Sequence, residues 1–116
     1  MSSDLADLRD RLREFIAARD WGQFHSPKNL SMALSVEAAE LVEIFQWLTE
    51  EQSRNLAPDA KAAATDEIAD VLIYLLEIAD QLGIDPAEAV RQKMVKNAKK
   101  YPADKARGSI KKYTEL

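Results

Sequence analysis

The sequence predicts an all-α protein built on four principal helices, and three observations carry that reading. Apolar residues recur every three or four positions over long segments. The three glycines and four prolines fall between those segments rather than inside them. No stretch alternates apolar and polar residues for long enough to form a half-buried strand.

The first helix is expected from about Ser3 to Arg19, with Leu5, Leu8, Leu12, Phe15 and Ile16 along one stripe, and Asp20-Trp21-Gly22 ends it. Ser26 can cap the second, with Pro27 at the first helical position where a missing N–H costs nothing, and the pattern continues to about Leu48. Thr49 to Leu56 reads as a short extra turn. Ala57-Pro58-Asp59 restarts the chain, and a third long helix runs to Leu82, where Gly83 supplies a C-terminal stop. Asp85-Pro86-Ala87-Glu88 resembles a capping box opening the fourth helix, which Pro102 terminates. The tail, about 102–116, is expected to be irregular and to dock on its own or a neighbouring subunit.

A chain of 116 residues makes one domain, 1–116, and a domain of that size buries only a moderate fraction of its surface. Hydrophobic content of 47% beside 31% charged residues is that of a globular chain, not a disordered one. The absence of cysteine excludes disulfides, thiolate catalysis and a cysteine zinc site. No apolar run reaches the ~18 residues of a membrane span, and the opening MSSDLADLRDRLREF lacks the apolar centre of a signal peptide, so a cytoplasmic protein without a membrane partner is expected. The net charge of −4 conceals an asymmetry, because residues 91 to 112 hold nine Lys or Arg against the single acid Asp104. This basic arm admits a nucleic-acid reading, but it is short, and no nucleic-acid partner is expected. The second helix is apolar on more than one face, through residues such as Leu30, Leu34, Val36, Val42, Phe45 and Trp47, more than one small bundle can absorb. Part of that surface is expected to meet another subunit in a homo-oligomer.

Two acidic pairs stand out. Glu37 and Glu40 lie three apart on the second helix, and Glu67 and Asp70 three apart on the third, so each pair projects from one face. The stripe 30, 33, 37, 40, 44, 47 reads Leu, Ala, Glu, Glu, Ile, Trp, an apolar seam interrupted by two carboxylates. The stripe 60, 63, 67, 70, 74, 77 reads Ala, Ala, Glu, Asp, Tyr, Glu. If antiparallel packing joins these seams, four carboxylates crowd a partly desolvated space and require a positive partner. Oxygen-only donors favour a hard cation, Mg²⁺ or in its place Mn²⁺. Spacing alone leaves open the alternative that these are solvent-facing acids on amphipathic helices. A di-iron carboxylate bundle fails, since it needs two ExxH pairs and His25 is the only histidine.

The segments RDWGQFH (19 to 25), PKNL (27 to 30), SVEAAELVEIFQW (35 to 47), DEIADVLIYL (66 to 75), KMVKNAKKYP (93 to 102) and ARGSIKKYTEL (106 to 116) resemble the MazG-like, all-α NTP pyrophosphatases, in particular their dCTP pyrophosphatase branch. The resemblance covers nearly the whole chain. It implies a four-helix bundle assembled through helix packing between subunits as a dimer or a dimer of dimers. It further implies Glu37, Glu40, Glu67 and Asp70 as Mg²⁺ ligands and catalytic carboxylates, and hydrolysis of dCTP or a modified dCTP to monophosphate and pyrophosphate. One departure is that Val36, not a second acid, precedes Glu37. Glu43, three beyond Glu40, reads as a solvated acid or an outer support of the cluster.

A base pocket needs aromatic platforms, for which Trp21, Phe24, His25, Trp47 and Tyr74 are the candidates. Trp47 and Tyr74 each continue a carboxylate stripe. Periodicity by itself places Trp21 and Phe24 in the core and reads His25 as a surface or capped histidine, whereas the RDWGQFH match points His25 to the base, with Trp47, Tyr74 and Trp21 as further base candidates. Lys93, Asn97, Lys100 and Tyr101 match the family's late phosphate-side motif; the alternative is a solvated basic helix face, which fits Lys96 and Lys99 better and Lys93 equally well. Two further readings remain: a broad house-cleaning NTP pyrophosphatase, and a helical oligomerisation module that binds nucleotides without hydrolysing them.

Overall fold

The computed structural model describes residues 3–116 and is helical throughout, in the order α1 (Ser3–Ala18), α2 (Pro27–Phe45), α3 (Glu50–Arg54), α4 (Pro58–Gln81), α5 (Pro86–Lys100), α6 (Ala103–Ala106) and a closing 3₁₀ turn, Tyr113–Glu115. The helix starts follow local chemistry. The Ser26 hydroxyl accepts from the Asn29 amide at 3.1 Å with Pro27 next in line. Thr49 and Gln52 form a reciprocal capping box, at 3.2 and 2.9 Å, that opens α3. The Asp85 carboxylate caps the Glu88 amide at 3.2 Å, while the Glu88 side chain turns to Arg91 instead of closing a box. Gly83, at φ 68, takes the left-handed conformation that ends α4.

Two expected boundaries differ. Helix α2 stops at Phe45 rather than Leu48, because the Leu48 amide bonds the Phe45 carbonyl at 2.9 Å in a turn and Thr49 opens the next helix. The tail is not wholly irregular: α6 forms just after Pro102, and Tyr113 returns to the end of α5, its ring 6.0 Å from Tyr101 and 5.0 Å from the Lys100 ammonium. The tail thus docks on its own chain.

Helices α2 and α4 form the main seam, and α1 lies against α4. They run antiparallel, since His25, just ahead of α2, meets Glu77 near the end of α4, while Glu37, mid-α2, meets Glu67. The shielded apolar residues are Leu30, Ala64, Leu76 and Ala79. Arg13 clamps α1 to α4 through a two-pronged pair with Asp80, one prong being Nε to Oδ2 at 2.7 Å.

Helix α5 stands apart. None of its residues is buried, and Val90, Met94 and Val95 are each more than half exposed. The Cα radius of gyration, 17.6 Å, exceeds the ~13 Å of a compact domain of this length. The accessible surface, 8962 Å², exceeds the ~6,300 Å² typical of a 13.0 kDa monomer. The fourth predicted helix thus leaves its apolar residues exposed in the single chain.

Candidate metal centre and adjoining pocket

Each acidic pair sits one helical turn apart on its own helix, and antiparallel packing of α2 on α4 sets the pairs face to face. Glu37, Glu67 and Asp70 each offer one carboxylate oxygen, and these oxygens lie within 4.8 Å of one another. Glu37 Oε2 and Glu67 Oε2 are buried with no hydrogen-bond partner. Two carboxylate oxygens cannot bond each other without a shared proton or cation, and a buried unpartnered anion is costly. The electrostatics agree. The Glu37 carboxyl is held above its usual range by its contact with Glu67, by burial, and by the charges of Glu67 and Asp70. Glu40 is also raised, through its contact with Glu37 and the charge there. It is more exposed than the other three and forms the rim of the cluster. An all-oxygen donor set with orphaned buried oxygens fits a hard divalent cation.

Beside the cluster opens a pocket of about 590 Å³ between α1 and α4, and Asp70 belongs to both. Leu8, Leu12, Phe15 and Ile16 of α1 form one wall, Trp21 and His25 of the connecting loop the rim, and Ile73, Tyr74 and Glu77 of α4 the other wall. Most of the apolar α1 stripe thus lines an open cavity rather than a sealed core. The Trp21 ring lies 5.8 Å from Phe15, edge-on, and 6.0 Å from His25. The Arg19 guanidinium covers Phe15 at 3.6 Å, bracing that corner. Tyr74 is half-buried one turn beyond Asp70, and burial together with the charges of Glu37, Glu77 and Asp70 holds its hydroxyl above the usual phenol range. This places Tyr74 between pocket and carboxylates.

The structure brings together Glu37, Glu67, Asp70, Tyr74, Trp21 and His25, with Glu40 at the edge. Other sequence candidates lie elsewhere in the single chain. Trp47 falls past the early end of α2 and is 86% exposed, outside the pocket lining. Phe24 is not core but 60% exposed, in the loop that follows the left-handed turn at Asp20, φ 53. Lys93, Asn97 and Lys100 lie on α5 and Tyr101 at its end, a helix with no buried residue, and none of the four lines the pocket or joins the three-carboxylate cluster.

Sequence reasoning assigned no role to Glu77, which is 7% exposed and bonded to His25 Nδ1 at 2.7 Å. A signal existed: Glu77 ends the acidic stripe of the third predicted helix, flanked by Leu76, Ile78 and Ala79.

Fold and site together define an all-helical protein with a carboxylate centre for a divalent cation, opening onto an apolar pocket of a size that suits a small planar ligand. The profile of the MazG-like family matches residues 32–116, and the chain belongs to that family. It is similar to human dCTP pyrophosphatase 1, 46% identical over 114 residues that cover 97% of this chain and 67% of the relative. The bovine dCTP pyrophosphatase 1 is 45% identical over 97% of this chain and 68% of its own. Among solved structures, a pyrophosphatase from Archaeoglobus fulgidus superposes with a TM-score of 0.81 at 46% identity, covering 88% of this chain and 95% of that one.

Proposed function

We propose that this chain is a nucleotide pyrophosphohydrolase that hydrolyses dCTP, or a 5-modified dCTP, to the monophosphate and pyrophosphate. The observation that carries the reading is Asp70, shared between the three-carboxylate cluster and the pocket. A nucleotide whose base enters the pocket extends its phosphates toward the carboxylates. The likeness to dCTP pyrophosphatases supports the choice of base.

Glu37, Glu67 and Asp70 would hold the cation, Mg²⁺ with Mn²⁺ as substitute, and Glu40 would complete the quartet at the rim. Bound there, the cation supplies charge neutralisation and a more acidic water for attack on phosphorus. The apolar α1 wall excludes bulk water from the base end. No covalent protein intermediate is needed: one P–O anhydride bond breaks, one P–O bond to water oxygen forms, and pyrophosphate leaves. Trp21 and Tyr74 offer flat surfaces to the base, and His25 a polar edge.

The chain works as a homo-oligomer, dimer or tetramer, on this reading. Support comes from the excess surface of the single chain and the bare apolar stripe of α5. Trp47, Lys93, Asn97, Lys100 and Tyr101 reach a nucleotide only across a subunit contact, where Lys93 and Lys100 would steady the leaving pyrophosphate.

The test is a panel of dNTPs and rNTPs with 5-methyl-dCTP, with and without Mg²⁺, scoring both products, with Glu67→Gln alongside. Mg²⁺-dependent pyrophosphate release that favours dCTP and vanishes in the variant is expected. Comparable rates on all bases would replace the dCTP reading with a broad house-cleaning enzyme. Nucleotide binding without turnover by folded protein would leave a binding module.

A further inference from the structure

We infer that Glu77 sets the base preference of the pocket by fixing the tautomer of His25, so that the site accepts a 4-aminopyrimidine and rejects a 4-ketopyrimidine. The inference rests on the reading above that the pocket takes the base.

His25 is held twice by the last turns of α4. Its imidazole Nδ1 meets Glu77 Oε1 at 2.7 Å, and its carbonyl accepts from the Gln81 side-chain amide, four residues further on. The ring therefore has little freedom to flip or swing. Glu77 is nearly fully buried, yet His25 is its hydrogen-bond partner among the described residues, and no Lys or Arg pairs with it there. A bare carboxylate in this position is expensive as a packing element. It supplies the imidazole with an acceptor.

The consequence follows from the donor inventory. With Glu77 as the acceptor of this contact, the proton sits on Nδ1. A neutral imidazole carries one N–H and one lone pair, which leaves the lone pair on Nε2. Nε2 has no partner among the described residues, and with Nδ1 committed it is the polar ring atom that His25, a pocket-lining residue, has left for an occupant. The 4-amino group of cytosine donates to such an acceptor. The 4-keto oxygen of uracil or thymine turns a lone pair toward it and leaves both groups unpaired, the kind of mismatch from which polar pockets draw strong discrimination. Glu77 is thus a positioning residue that acts through His25 and need not touch the base.

His25 is the sole histidine, so its ring nitrogens are read without overlap by ¹⁵N-correlated NMR. At neutral pH the wild-type protein is expected to show the Nδ1–H form, and Glu77→Leu, of similar size but without an acceptor, to lose it. Glu77→Gln keeps an acceptor oxygen and should fall between. In parallel, dCMP and dUMP binding is followed by tryptophan fluorescence and calorimetry. The wild type should prefer dCMP, and the preference should shrink at least tenfold in Glu77→Leu and less in Glu77→Gln.

A ratio between two ligands is insensitive to partial unfolding, which weakens both alike. Equal losses for dCMP and dUMP in Glu77→Leu would make Glu77 a packing residue and overturn the inference, as would an Nε2–H ring in the wild type. Because the readout is binding, failure of the hydrolase reading is separable: no turnover with the preference intact would sink that reading alone. Failure of both monophosphates to bind would remove the pocket's role and this inference with it.

Discussion

Leu30→Ala tests whether the α2–α4 seam is what positions the carboxylates. Leu30 is 2% exposed, lies in the first turn of α2, and is the most completely buried large side chain among the described residues. Truncation removes about 3 kcal/mol, the sum of lost transfer energy and residual cavity for a buried leucine. With an unfolding entropy of about 2.1 cal/mol/K for each residue, the 116-residue chain unfolds with roughly 0.24 kcal/mol/K, so Tm falls by about 12 °C. The assay is thermal unfolding by circular dichroism at fixed protein concentration, because any subunit association makes Tm concentration-dependent. Glu37 sits two turns further along the same helix, so kcat should fall with seam stability when measured near the new Tm and recover on cooling. A Tm drop under about 4 °C would refute the reasoning and show that the seam is held by surfaces other than Leu30.

The remaining predictions concern the site and its assembly. Glu67→Gln and Glu37→Gln should each lower kcat at least a hundredfold and abolish the rise in Tm that Mg²⁺ produces in the wild type, as read by differential scanning fluorimetry. Without metal, Glu37 and Glu40 bind protons more tightly folded than unfolded. Their contribution to stability is full below the ordinary value of 4.5 and is lost as pH rises through the raised folded values, so urea midpoints in EDTA should decline over that interval and less so in Glu37→Gln. Asp80 has the opposite sign: the Arg13 guanidinium lowers its carboxyl, so its stabilisation is present above 3.8 and lost as pH falls through the lowered value, and Asp80→Asn should flatten that acid limb. Val90→Lys with Met94→Lys on α5 should shift the light-scattering mass toward the monomer and reduce activity; an unchanged mass would remove α5 from the subunit contact.

Much of this protein was settled by local chemistry that sequence displays. The Ser26, Thr49 and Asp85 caps, the prolines opening α2, α4 and α5, and Gly83 closing α4 act within a few residues, so their effects are legible without knowing the fold. The paired acids were legible too, because one helical turn separates the members of each pair and an acid within an apolar stripe is conspicuous. What sequence could not supply was the register between helices. The meeting of Glu37 with Glu67, the opening of the α1 stripe onto a cavity instead of a sealed core, and the Glu77–His25 contact across 52 positions depend on how whole helices slide and rotate against one another. The early end of α2 is a local event with a tertiary effect: a stop three residues sooner carries Trp47 off its stripe and into solvent. Helix α5 shows the same division. Its sequence determines that it is helical and basic with an apolar stripe, but whether that stripe packs on its own chain is a balance of many weak contacts summed over distant surfaces, which tertiary structure alone resolves.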